Sequence, residues 1–98
     1  MNQYRLRFTK PFERRYVKLL KKNRQLKEKV DKTLEILKNN PFSPSLDTHK
    51  ALSRKGGEVF SSSVTGDIRI VWHFDKLEVL VIILLDLGGH SGSKKVYR

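Results

Sequence analysis

Three side chains of the sequence, His49, Arg69 and His90, are of the types that metal-free cleavage of RNA requires. A base must remove the proton of the ribose 2′-hydroxyl, a cation must stabilise the charged phosphorane, and an acid must protonate the leaving 5′-oxygen. Histidine suits both proton-transfer roles because its unperturbed pKa lies near neutrality. Arginine suits the phosphate because its planar guanidinium can bind two phosphate oxygens at once. The three residues could therefore form a ribonuclease site if the fold brings them together.

Each candidate also has an ordinary structural interpretation. Asp67 follows a glycine and could be a turn residue instead of a proton acceptor. Arg69 alternates with apolar neighbours and could be a solvated strand residue, although we favour a functional role. His90 follows two glycines, in the kind of loop where site residues concentrate, so we favour function there as well. His73 is interpreted as structural or superficial, and Trp72 as part of the core.

The sequence lacks several common kinds of site and segment. It has no cysteine, which removes disulfides, thiolate ligands and cysteine nucleophiles. The three histidines, at positions 49, 73 and 90, lack the spacing of metal ligands, and we expect neither a metal nor a cofactor. Met1–Phe8 has no signal-peptide pattern, and the longest apolar run, Val79–Leu85, is too short to span a bilayer. A cytosolic location is therefore expected.

The net charge of +11, with a pI near 10.2, indicates an anionic partner: nucleic acid, an anionic membrane or an acidic protein. Residues 10–32 contain ten basic and three acidic residues. A second basic group belongs to the predicted strands, loops and tail. The residues predicted to bind RNA phosphate are Arg14, Arg15, Lys18, Lys21 and Lys22 in the first group and Lys50, Arg54, Lys55, Lys94 and Lys95 in the second.

The hydrophobic periodicity predicts a single α+β domain over residues 1–98, with elements in the order β-α-α-β-β-β. Thr9 can cap the first helix, and residues 41–58 are expected to be irregular. The last strand is nearly all apolar and should lie centrally in an antiparallel twisted sheet, with the two helices packed on one face. Strands are expected at 4–8, 59–64, 68–74 and 77–87, and amphipathic helices at 12–20 and 26–37.

The whole chain resembles the RelE/ParE toxin superfamily, and in particular its RelE and YafQ-like ribonuclease branch. Residues 66–72, GDIRIVW, resemble the family's "gdyRivy" strand. Residues 81–90, VIILLDLGGH, resemble its "vllldigtH" strand, and Tyr97 matches the tyrosine that closes the motif. His49–Leu52 is similar to the "HpLkg" segment that precedes the second strand of the motif.

The resemblance implies the toxin of a type II toxin–antitoxin pair, a metal-independent endoribonuclease that cleaves mRNA in the ribosomal A site and inhibits translation. It implies that His49 or Asp67 acts as the base and His90 as the acid. Arg69 would contact the scissile phosphate, and Tyr97 would act in base stacking or proton transfer. Alanine substitution of Arg69 or His90 is then expected to abolish cleavage and leave the protein folded. The partners implied are mRNA, the ribosome and an acidic antitoxin that covers the basic surface.

Two other functions remain open from the sequence. A ParE-like chain would share the fold but inhibit DNA gyrase by binding, and the pair of histidines argues against it. A non-catalytic module would bind RNA or a protein partner through its basic helices alone, with binding that weakens steeply with salt. The chain also departs from the YafQ-like pattern. Ser62 or Ser63 replaces a second histidine, and the six residues between His90 and Tyr97 exceed the usual spacing.

Overall fold

In the computed structural model, which describes residues 3–52 and 57–89, the chain forms a five-stranded sheet and two α-helices. The strands lie in the order β1-β5-β4-β3-β2, so β5 is central, as its apolar sequence predicts. The helices are α1 (Lys10–Leu20) and α2 (Arg24–Asn39), and a short 3₁₀ turn spans Pro44–Leu46. The strands are β1 (Arg5–Phe8), β2 (His49–Leu52), β3 (Glu58–Ser63), β4 (Ile68–Phe74) and β5 (Val81–Gly89).

Capping contacts set the boundaries of the two helices. The hydroxyl oxygen of Thr9 accepts a hydrogen bond from Phe12 N at 3.4 Å and donates one to Leu84 O at 2.7 Å, so the predicted cap of α1 also ties the helix to β5. Asn23 Oδ1 accepts a hydrogen bond from Leu26 N at 3.0 Å, which starts α2 at the polar break after α1. Neither helix in the described part of the chain is long and apolar enough to cross a membrane.

Both helices pack against one face of the sheet, as the periodicity predicts. Alternate residues of β4, together with Ile82, Leu84 and Leu87 of β5, supply the strand side of this core. The fully buried Trp72 confirms its predicted place there. Burial of side chains of this size contributes about 1.5–3 kcal/mol each. The α+β class is therefore confirmed. The buried apolar residues that share the core are Phe12, Leu20, Val30, Leu34, Leu37, Leu46, Ile70, Trp72, Ile82, Leu84 and Leu87.

The sheet is mixed, which corrects the antiparallel arrangement expected from the sequence. β1 pairs in parallel with β5, from Arg5 opposite Val81 to Phe8 opposite Leu84, while the other neighbouring strands are antiparallel. A parallel pair needs a long connection between its strands, which the elements from α1 to β4 supply. Alternation within a strand of four residues says nothing about the direction of its neighbour.

The segment 41–58, expected to be irregular, contains the edge strand β2. This strand pairs with β3, from His49 opposite Ser61 to Leu52 opposite Glu58. Its residues are mostly exposed because an edge strand has a neighbour on one side only. It therefore lacks the apolar alternation by which a half-buried strand is predicted.

The last strand begins at Val81, later than the apolar run from Leu77 suggests. Asp75 Oδ1 accepts hydrogen bonds from the backbone nitrogens of Leu77 (2.7 Å) and Glu78 (2.9 Å), and Oδ2 accepts one from Arg7 (2.7 Å). The two backbone bonds, with the nearby Arg7, lower the pKa of Asp75. These contacts hold residues 75–80 in a loop in which Leu77 is 94% exposed. Local side-chain bonds to the backbone thus override the strand pattern.

A polar contact joins the two helices. Tyr16 Oη donates a hydrogen bond to Asp31 Oδ1 at 2.6 Å, and Lys27 Nζ donates one to Asp31 Oδ2 at 2.8 Å. Partial burial alone would raise the pKa of Asp31, but the bonds from Lys27 and Tyr16 outweigh it and lower the pKa below the usual 3.8. Burial and the bond to Asp31 raise the pKa of Tyr16. The contact is therefore complete when the carboxyl group is charged and the phenol is protonated.

The Tyr16→Phe substitution is expected to lower the free energy of unfolding near neutral pH by about 1 kcal/mol, because it removes one hydrogen bond to a charged, partly exposed group. The folded-state pKa of Asp31 is depressed, so its contribution is present above the unfolded-state pKa and is lost as the pH falls through the folded value, below 3.8. Urea unfolding of both proteins at neutral pH and at about pH 2.5 tests this expectation. A stability difference of the same size at both pH values would contradict it.

Candidate functional site

Arg69 is a buried charged residue on the face of the sheet opposite the helices. It lies on β4, between Ser63 of β3 and Gly88 of β5, and only 6% of its surface is exposed. Its neighbours Ile68 and Ile70 pack into the helix-side core, so strand alternation directs Arg69 to the other side. The interpretation of Arg69 as a solvated strand residue is therefore wrong. A buried cation needs compensating contacts, and the chain provides them.

The guanidinium of Arg69 is held by the protein through two of its nitrogens. Nε donates to Ser61 Oγ at 2.6 Å, and Nη2 donates to the carbonyl oxygens of Asp47 (2.9 Å) and Ser61 (3.0 Å). Nη1 makes no hydrogen bond within the described residues, and the Asp47 carboxylate Oδ2 lies 3.8 Å from it. No buried side-chain nitrogen or oxygen of residues 3–52 and 57–89 lacks a hydrogen-bond partner. The fork expected to hold two phosphate oxygens is thus half occupied by the protein.

His49 stands beside Arg69 on the same face. It is the first residue of β2 and pairs with Ser61, and its Nδ1 lies 3.4 Å from Arg69 Nη2. A guanidinium can only donate, so Nδ1 is the acceptor in this contact, and a neutral imidazole then carries its proton on Nε2. The residue as a whole is exposed, so a substrate can approach the ring. The fold therefore brings together two predicted site residues that are 20 positions apart in the chain.

Asp67 and Lys50 make no hydrogen bond or ion pair with this pair in the part of the chain that the structure describes. Asp67 is exposed in the turn before β4, where its backbone nitrogen donates to a threonine hydroxyl at 3.2 Å. Lys50 is exposed and pairs with Phe60, which packs against the helix-side core. Alternation along β2 therefore places Lys50 on the face opposite His49. Lys50 therefore does not lie beside a ligand held at Arg69.

The other predicted residues of the sheet-associated site fall beyond the structural description. The last described residue is Gly89, which pairs with Ile68 at the start of β4. The predicted residues that lie outside the described ranges are His90 and Tyr97, together with Arg54, Lys55, Lys94 and Lys95.

The sequence patterns do not identify the residues that hold Arg69 in place, Ser61 and Asp47. The run of three serines at 61–63, within a β-rich segment, is the available signal, because buried hydroxyl groups need polar partners. Strand alternation directs Ser61 to Arg69 and Ser62 to the opposite face. There Ser62 Oγ accepts a hydrogen bond from Trp72 Nε1 at 2.8 Å. Both serines are fully buried.

A stripe of basic side chains runs along α1 and into the turn that follows it, on the side opposite the buried residues of the helix. We call this set, Arg14, Lys18, Lys21 and Lys22, the basic stripe. Its members follow helical spacing and are exposed, and none has an ion-pair partner among residues 3–52 and 57–89. Arg15 differs, since its Nε lies 3.8 Å from Asp86 Oδ1 of β5. The stripe has the charge and exposure that sequence-independent binding of phosphate requires.

Comparison with known proteins gives matches among solved structures only. No protein-family model and no curated protein matches the sequence. A chain of the archaeal RelE–RelB complex from Pyrococcus horikoshii matches with 16% identity and a TM-score of 0.70, covering 93% of this chain and 99% of that one. The heterotetrameric YoeB–YefM toxin–antitoxin complex from Staphylococcus aureus matches with 16% identity and a TM-score of 0.67, covering 91% and 99%. The Escherichia coli DinJ–YafQ complex matches with 19% identity and a TM-score of 0.66, covering 90% and 94%.

These matches define the class of structure: the chain has the RelE-like toxin fold. The resemblance to the RelE/ParE toxin superfamily predicted from the sequence is thereby confirmed at the level of the fold.

Proposed function

We propose that this protein is the toxin of a type II toxin–antitoxin pair and that it cleaves mRNA in the ribosomal A site without a metal ion. The observation that carries the proposal is the Arg69–His49 pair. It combines a buried cation, whose Nη1 makes no hydrogen bond within the described residues, with an imidazole 3.4 Å from that cation. A solved structure with the same fold is a toxin–antitoxin complex, which supports the toxin role.

In the proposed reaction, Arg69 Nη1 holds a non-bridging oxygen of the scissile phosphate. The guanidinium is nearly excluded from water, so its attraction for the charge that develops on the phosphorane is weakly screened. His49, or Asp67 from the turn before β4, removes the 2′-hydroxyl proton, and His90 protonates the leaving 5′-oxygen. Tyr97 stacks on a base or transfers a proton.

The contact with Arg69 uses Nδ1 of His49, the nitrogen that a neutral ring would need as a base. With Nδ1 facing the guanidinium, a neutral ring carries its proton on Nε2, the nitrogen that faces away from Arg69. A general base must present an unprotonated nitrogen to the sugar hydroxyl. His49 therefore has to rotate or change tautomer when RNA binds.

The basic stripe is the proposed contact surface for ribosomal RNA, and an acidic antitoxin is the proposed second partner. Proteins of the same fold occur in complexes with RelB, YefM and DinJ, which supports an antitoxin for this chain. An acidic partner lying over the stripe would neutralise its charge and exclude RNA from it. The proposed location is the cytoplasm, where the ribosomes are.

Mapping of mRNA 5′ ends after induction tests the proposed function. The wild-type chain should create new 5′ ends within translated codons, and His90→Ala should create none. The His73→Ala variant is the matched control, because His73 lies in β4 and is not assigned to the site. If His90→Ala cuts as wild type does, the site assignment is wrong. Intact mRNA together with gyrase-dependent DNA damage would instead identify a ParE-like inhibitor.

A further inference from the structure

Asp47 contacts Arg69 in two ways, through its backbone carbonyl oxygen and through its side-chain carboxylate. Its carbonyl oxygen accepts a hydrogen bond from Nη2 at 2.9 Å, and its carboxylate Oδ2 lies 3.8 Å from Nη1. The side chain of Asp47 is 77% exposed, whereas that of Arg69 is 7% exposed. The carboxylate therefore lies largely in solvent, 3.8 Å from the guanidinium nitrogen that makes no hydrogen bond within the described residues.

The backbone conformation of Asp47 explains why its carbonyl oxygen contacts Arg69, but it does not explain why a carboxylate stands beside Nη1. The residue has φ 47° and ψ 46°, the left-handed conformation that ends the 3₁₀ turn, and its nitrogen donates to Pro44 O at 3.2 Å. This conformation directs the carbonyl group to Arg69. Asparagine and glycine also adopt it, so the carbonyl contact does not depend on a negative charge at this position. The charge calls for a separate explanation.

We propose that the Asp47 carboxylate competes with RNA phosphate for Nη1 of Arg69 and so limits how tightly the site holds RNA. The proposal rests on the ribonuclease function proposed above and adds a residue that sets its affinity. An anion that arrives at Nη1 must either displace the carboxylate or lie beside it, and both weaken binding. A separation of 3.8 Å is too long for a hydrogen bond, so the carboxylate can swing into water without breaking one.

The competing explanation is that Asp47 neutralises the buried cation and so stabilises the fold. The 3.8 Å separation and the exposure of the Asp47 carboxylate argue against a large contribution to stability. The Asp47 carboxylate is 77% exposed and makes no hydrogen bond with the guanidinium, so it contributes less to stability than a buried, hydrogen-bonded partner would. The hydrogen bonds to Ser61 and to the Asp47 carbonyl oxygen already hold the guanidinium. If the carboxylate competes with phosphate, removing its charge tightens RNA binding; if it only stabilises the fold, removing its charge does not.

Binding of a non-cleavable RNA to the 98-residue chain distinguishes competition with phosphate from stabilisation of the fold. Asp47→Asn is compared with Glu58→Gln, which removes the same charge from an exposed position on β3. Alternation places Glu58 on the face opposite Arg69. The probe is a short 2′-O-methyl RNA with a fluorescent label, read by anisotropy at low salt; it lacks the 2′-hydroxyl that cleavage needs. We expect Asp47→Asn to bind about fivefold tighter than wild type, and Glu58→Gln to stay within about twofold.

Each outcome decides the proposal. If the two variants bind alike, or if Asp47→Asn binds more weakly than wild type, the competing role of Asp47 is rejected and RNA binding stands. If neither wild type nor Asp47→Asn binds the RNA, the competing role of Asp47 is rejected, and the proposed cleavage on the ribosome is decided separately by the mapping of mRNA 5′ ends. Thermal unfolding should show a nearly unchanged Tm for Asp47→Asn. Asp47→Gly also accepts the left-handed backbone and serves as the second variant if Asp47→Asn is unstable.

Discussion

Arg69→Ala is expected to abolish mRNA cleavage and to lower the free energy of unfolding by about 3 kcal/mol. Cleavage should be lost because no other described side chain offers a cation at the scissile phosphate. Stability should fall because the substitution leaves buried acceptors on Ser61 and Asp47 without their donor. The variant is still expected to fold, but with lower stability than wild type. Mapping of mRNA 5′ ends measures the first effect, and urea unfolding measures the second.

Trp72→Phe is the matched control for lost stability. It removes the hydrogen bond from Trp72 Nε1 to Ser62 Oγ on the opposite face of the sheet, at a cost of about 1–3 kcal/mol. We expect this variant to unfold at a lower urea concentration and still to cleave mRNA. Wild-type stability of Arg69→Ala would contradict the role given to its buried contacts. Equal loss of cleavage in both variants would show that instability, and not phosphate binding, explains the Arg69 result.

His49→Ala is expected to slow cleavage by about 10²–10⁴-fold, the usual contribution of a positioned general acid or base. The fold should change little, because His49 is exposed on an edge strand and its contact with Arg69 is long, at 3.4 Å. The rate of mRNA cleavage by the purified variant on programmed ribosomes measures the effect. Added imidazole should restore part of the activity of His49→Ala and none of that of Arg69→Ala, because it can replace a proton-transfer group but not a fixed cation.

His73→Ala supplies the control for the loss of a histidine. His73 shares its sheet face with Arg69 but lies four residues further along β4, about 13 Å away. The His73→Ala variant should cleave mRNA at the wild-type rate. Full activity of His49→Ala would show that Asp67 is the base, and an equal loss in both histidine variants would point to a general effect on the sheet.

The helices could be predicted from the sequence because the information that sets them is local. Each cap, Thr9 for α1 and Asn23 for α2, lies within three residues of the nitrogen that it binds. The apolar stripes then indicate which side of each helix is buried, and the core confirms them. The strand β2 could not be predicted in this way, because β3 supplies its pairing and its own residues remain exposed.

The surroundings of Arg69 depend on long-range pairing, which no local pattern contains. Its partners Ser61 and Asp47 lie 8 and 22 positions before it in the chain. They reach it only through the register of β2, β3 and β4. Alternation with Ile68 and Ile70 does predict the face on which Arg69 lies, but not that other side chains enclose it. The sequence therefore predicts the site residue and misses its burial, which changes the expected stability of its variants.

The parallel pairing of β1 with β5 determines when the sheet can form during synthesis of the chain. Arg5 meets its partner Val81 only after β5 has left the ribosome, and Arg69 must likewise wait for Gly88. Until then α1 and α2 have no central strand on which to bury their apolar stripes, and loop closure over such a span is slow. A nascent chain is therefore expected to lack a working site until β5 has emerged and paired with β1 and β4. If the proposed function is correct, cleavage activity appears only after the last described strand has been synthesised.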